Sequence, residues 1–163
     1  MESKMTALLL LLSAGALLFS TNAQEGYGNL PEIYRTGVHL ALLKIHSHPG
    51  IQQHFLFFRS LQKSDIGHGF NVSYVYHNFH LKATKCLKGA ANTTACHFRN
   101  DRPLIDCAVC YKTYNGQIEE VPKPYVHCIH KPSLTEVMKT TRVQHCTEMT
   151  YNMGGPNLLS SSN

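Results

Sequence analysis

The stretch that decides the fold is Cys107-Ala108-Val109-Cys110-Tyr111-Lys112-Thr113-Tyr114, followed by Asn115-Gly116 and by a second extended run ending Tyr125-Val126-His127-Cys128. β-Branched, aromatic and cysteine residues fill the first run, and Asn-Gly suits the consecutive positive φ angles of a two-residue hairpin turn. Side chains alternate across a strand, so Cys107 and Cys110, three apart, point to opposite faces. They are badly placed to bond each other, and each should tie the strand to a different partner, one on each side of the sheet. A two-residue turn at Asn115-Gly116 would set Pro124 opposite Cys107. A Cys107–Cys128 bridge would therefore need a wider loop or a bulge, which Pro122 and Pro124 make plausible.

Two further extended runs precede this hairpin. Residues 51–62 hold Phe55, Leu56, Phe57 and Phe58. Residues 63–69 have the composition of a loop. Phe70, Val72, Tyr74 and Tyr76 alternate with Asn71, Ser73 and His77, as in a half-buried strand, and Phe79 and Leu81 then shift the phase by one, which predicts a bulge near Asn78. Earlier in the chain, Pro31 opens a helical pattern. Ile33, Tyr34, Val38, Ala41, Leu42 and Ile45 form one apolar face, widened by Leu40 and Leu43, and His48-Pro49-Gly50 ends it. So broad an apolar girth should be largely wrapped by a curved sheet. The class is α+β: one long helix packed against a four- to five-stranded antiparallel sheet. After the sheet, Ser133-Leu134-Thr135-Glu136 fits a capping box and predicts a short helix carrying Val137 and Met138.

The 163 residues divide into a signal peptide over 1–23, a domain over 24–146 and a flexible tail over 147–163. The leader has Lys4, an apolar run from Ala7 to Phe19, and the small residues Thr21 and Ala23 at a cleavage site. It is too short for a comfortable membrane span, and no second stretch approaches one. Secretion and an even count of six cysteines predict three disulfides, with 15 pairings open to sequence alone. A zinc site is disfavoured because Cys107-x-x-Cys110 has no second such pair, and a redox role because no βαβ pattern surrounds it. No cofactor is expected. The net charge of +5 survives removal of the leader, which takes one Glu and one Lys. The basic residues look scattered, suggesting mild attraction to acidic surfaces such as glycosaminoglycans and nothing specific for nucleic acid. Two sequons, Asn71-Val72-Ser73 and Asn92-Thr93-Thr94, are candidate glycosylation sites.

A secreted helix-then-sheet pattern with six late cysteines resembles the cystatin/cathelicidin-like superfamily, and within it the chemerin family. Two features carry this: the helix Val38-His39-Leu40-Ala41-Leu42-Leu43-Lys44-Ile45-His46-Ser47-His48-Pro49, and cysteine gaps of 9, 10, 2, 17 and 17 residues. The resemblance spans about residues 30–146. It implies a cystatin-like fold with Cys86 bonded to Cys96, Cys107 to Cys128 and Cys110 to Cys146. It also implies a secreted, monomeric precursor that proteases trim at the tail, whose freed end engages a chemokine-like G-protein-coupled receptor as a chemoattractant and adipokine. Tyr151, Gly154, Leu158 and Leu159 are then the receptor-contacting tail residues. The tail lacks the family's aromatic-rich, basic end. No Lys or Arg follows Arg142, so a trypsin-like cut within it is excluded, while an elastase-like cut near Leu159 fits.

Rival classes fit less well. A cystatin-type cysteine-protease inhibitor would need a Gln-x-Val-x-Gly hairpin tip and a Pro-Trp turn, and the chain has no tryptophan. A cathelicidin-like host-defence protein would need a basic amphipathic tail, and residues 147–163 carry only Glu148. No enzyme is expected: Gly-x-Ser-x-Gly, His-Glu-x-x-His and paired-carboxylate motifs are missing.

Overall fold

The computed structural model describes residues 26–152, so the expected signal peptide lies outside it. The elements are α1 (Glu32–Ser47), β1 (Gln53–Gly67), β2 (Val72–Leu87), β3 (Ile105–Tyr114), β4 (Gln117–Ile118), β5 (Tyr125–His130) and α2 (Glu136–Asn152), with short 3-10 turns at Tyr27–Asn29 and Lys131–Ser133. The strands form one five-stranded antiparallel sheet in the order β1-β2-β3, with β4 and β5 both paired to β3. The α+β class is as expected. The single long helix is not, because α2 is as long as α1.

The opening hairpin resolves its register as the prolines allow. Asn115 and Gly116 both take positive φ, and Tyr114 faces Gln117. Yet Cys110 faces Tyr125 and Cys107 faces Cys128. Residues 119–124, which hold both prolines, take up the slip between β4 and β5.

The predicted loop over 63–69 is a correction: β1 continues through Gly67, with Lys63 opposite His77 and Asp65 opposite Val75. Polar composition suits this strand because β1 is the edge, where charges discourage pairing with another chain. The turn shrinks to residues 68–71, where Gly69, Phe70 and Asn71 all have positive φ. Phe70, read as the first inward residue of β2, is 95% exposed there. The predicted bulge at Asn78 is also corrected. Pairing between β2 and β3 is unbroken; the β1–β2 register shifts at Phe58 and Leu61 of β1, and a third shift lies at the far end of the pair, between Gln53 and Phe55. The phase change in β2 has another cause: both of its faces are covered. Val75, Phe79 and Leu81 join the core beneath α1, whereas Tyr74 packs with Cys110, Cys146 and Met149 beneath α2.

On the first face, Val38 and Ala41 of α1 meet Phe55, Phe57, Phe79, Val109 and Tyr111. The approach is close: a Cβ on Gly37 would lie 2.9 Å from Val109 and Tyr111. The Tyr111 hydroxyl donates to the Ile33 carbonyl, fixing the helix start to the sheet. Wrapping is one-sided, and Leu43 remains 56% exposed.

On the second face lies α2, which replaces the predicted short helix and overruns the predicted tail boundary: residues 147–152 are its last turns. Its cap is Thr135, whose hydroxyl accepts from the Met138 amide at 3.2 Å, not Ser133, which belongs to a 3-10 turn. Thr140, Thr141, Thr147 and Thr150 each donate to the carbonyl four residues back, so their hydroxyls do not oppose the helix. Its buried stripe is narrow: Arg142, Cys146 and Met149. So thin an apolar face would not hold a free helix, and tertiary anchoring must do so.

Candidate functional site

That anchoring is the most distinctive chemistry in the molecule. Asp106 of β3, His80 of β2 and Arg142 of α2 are 3%, 2% and 3% exposed. Arg142 Nη1 lies 2.5 Å from Asp106 Oδ1, and Nη2 donates to the Asp106 carbonyl at 3.1 Å. Asn78 Nδ2 donates to the same Oδ1 at 3.0 Å, and His80 Nε2 donates to Oδ2 at 3.1 Å. The donor role of His80 follows from its other nitrogen, since Nδ1 accepts from Arg59 Nε at 3.3 Å. In the same way Arg142 Nε donates to His127 Nδ1 at 2.7 Å. Two histidines thus each accept from an arginine around one carboxylate.

Electrostatics follow the geometry. Burial alone would raise the Asp106 carboxyl, but hydrogen bonds from His80, Arg142 and Asn78, with the Arg142 charge, hold it below the usual carboxylate range. Burial and the neighbouring Arg142 cation push His127 down. The carboxylate stays ionised, and one nitrogen of each imidazole accepts from an arginine. The cluster clamps α2 to the sheet.

Four residues further along α2, Cys146 is bonded to Cys110. The helix is therefore held to the sheet at two points, one ionic and one covalent. Beside it a cleft of about 470 Å³ is lined by Arg59, Leu61, Asn78, Lys139, Arg142 and Val143 among others. A second of about 180 Å³ adjoins it through Gln62, Tyr76 and Val143.

The other predicted residues fall as follows. Cys86 is bonded to Cys96 and Cys107 to Cys128, the pairing the resemblance implied, and the described residues contain no free cysteine. Asn71 is exposed in the β1–β2 turn. Asn92 is exposed in the Cys86–Cys96 loop, its Oδ1 accepting from the Thr94 amide and hydroxyl at 3.1 and 2.6 Å. Tyr151 lies in the last turn of α2. Gly154, Leu158 and Leu159 lie outside the described residues. Asp106, Arg142, His80 and His127 were missed as a unit. The available signal was a lone acid inside the apolar run 105–111 and an arginine four residues before a cysteine.

Among the described residues no helix is long and apolar enough to cross a membrane, and no cluster of His, Cys, Asp or Glu could hold a metal ion. Compared with known proteins, the chain matches no family model, and no curated protein matches it.

Proposed function

We propose that this chain is a secreted, chemerin-like signalling precursor of cystatin-like build, activated when proteases trim the segment after α2 and read by a chemokine-like G-protein-coupled receptor. The observation that carries the proposal is the double fastening of α2 by Arg142–Asp106 and Cys110–Cys146. A helix held this firmly makes a rigid mount, so a cut in the segment beyond it would leave the body intact. Residues 153–163 offer apolar Leu158 and Leu159 to an elastase-like protease and contain no Lys or Arg for a trypsin-like one. Tyr151, Gly154, Leu158 and Leu159 are the proposed receptor contacts, and glycans on Asn71 and Asn92 would sit clear of them in sequence.

The test is leukocyte migration or receptor signalling with the full chain beside forms ending at Leu159 and Ser160. The expected result is stronger signalling from a trimmed form. Equal inactivity of all three, with α2 intact by circular dichroism, would overturn the receptor reading.

A further inference from the structure

Arg59 and Lys82, 23 residues apart in the sequence, are brought together by the fold. Pairing of β1 with β2 sets Leu56 opposite Lys82 and Arg59 opposite His80. Near the Cys86–Cys96 bridge the chain returns onto β2: Thr84 pairs with Phe98, the Lys85 amide donates to the His97 carbonyl at 2.9 Å, and the Arg99 amide donates to the Ala83 carbonyl at 2.9 Å. Residues 46–59 and 80–102, joined at this end, carry Arg59, Lys82, Lys85, Lys88, Arg99 and Arg102 against a single acid, Asp101. Asp101 is engaged by Arg99 at 2.6 Å, which leaves five unmatched cations.

Two of these are ordered on an aromatic pair. Phe58, the extra residue of a β1 bulge, meets Phe98 edge to face at 5.6 Å. Lys82 Nζ lies 4.8 Å from the Phe58 ring centre and 5.6 Å from that of Phe98, and the Arg59 guanidinium lies 5.7 Å from Phe58. Lys82 also donates to Asn100 Oδ1 at 2.8 Å. Lys85 and Lys88 are exposed.

We propose that the end of the sheet around the Cys86–Cys96 bridge is a docking surface for a sulfated glycosaminoglycan chain. Cations that no acid in these segments neutralises, two of them seated on one aromatic ring, match a densely charged anionic polymer, and release of its counterions drives binding. The ring faces of Phe58 are already shared by Lys82 and Arg59, which leaves poor stacking for nucleic-acid bases. Leu87 is the one large aliphatic side chain of these segments that is strongly exposed, at 68%, too little for a membrane surface to grip. The proposal rests on the secreted reading but needs no receptor, so the two fail separately.

The test is binding of the full chain to immobilised heparin across a salt series, with two variants of equal net charge. One is Lys82→Gln/Lys85→Gln/Lys88→Gln; the other is Lys112→Gln/Lys123→Gln/Lys131→Gln, placed elsewhere. None of the six lies in the Asp106 cluster. The expected result is salt-sensitive binding that the first triple weakens by about tenfold or more and the second by less than about twofold. Equal losses in both variants would show that only net charge matters and overturn the proposal. So would undiminished binding to desulfated heparin, tighter binding to phosphatidylserine vesicles or single-stranded DNA than to heparin, or no binding in dilute salt.

Discussion

The two helices flank one sheet and are held to it by opposite means. α1 uses apolar contact, with Val38 and Ala41 buried and Gly37 permitting close approach, and it contributes no disulfide. α2 uses a disulfide, a buried ion pair and little apolar area. Apolar packing is spread over many small contacts and degrades gradually. A buried charge has no such tolerance, because removing its partner strands the other ion in a poorly solvated site.

The sharpest way to break this comparison is Arg142→Ala, which leaves Asp106 uncompensated. It should lower unfolding free energy by about 3–5 kcal/mol, measured by chemical denaturation, with α2 amides losing protection first. Replacing Cys110 and Cys146 together by alanine should cost about 2–4 kcal/mol, and amide exchange should accelerate in α2 while α1 keeps its protection.

The α1 face has its own titrating group. His77 is fully buried and faces Ser60 and Lys63 of β1 and Tyr34 of α1; burial first, then the Lys63 charge, push it down to about 4. The unfolded chain binds that proton near 6.5, so stability is full above about pH 6.5 and falls as pH drops toward 4, by about 3 kcal/mol. His77→Leu should flatten this limb, as read from melting temperatures at pH 7 and 4.5. Last, Gly37→Ala should cost about 1–3 kcal/mol by forcing α1 away from Val109 and Tyr111, with α2 unaffected.

Legibility in the sequence follows the same division. α1 announced itself through apolar residues at helical spacing, and β3 through its cysteines and Asn-Gly turn. β1 was cut short because Lys63, Ser64 and Asp65 suit an edge strand as well as a loop, and composition cannot separate the two. β2 misled by alternating in two phases, each true for one covered face. α2 was nearly invisible: its threonines argue against a helix until their hydroxyls are seen to bond within it, and its stripe contains an arginine that no hydrophobic pattern counts. The Asp106 cluster draws on β2, β3, β5 and α2, so only tertiary contact reveals it. The basic end likewise needed the β1–β2 register to bring Arg59 beside Lys82.

The order of the two fastenings along α2 gives it a directional response. Arg142 comes first and Cys146 four residues later, nearer the end that the proposed protease would reach. A reductant frees the distal turns while the charged pivot holds. Loss of the ion pair frees the proximal turns while the sulfur tether still keeps the far end in place. The redox and ionic character of its surroundings would thus decide which end of this lever swings.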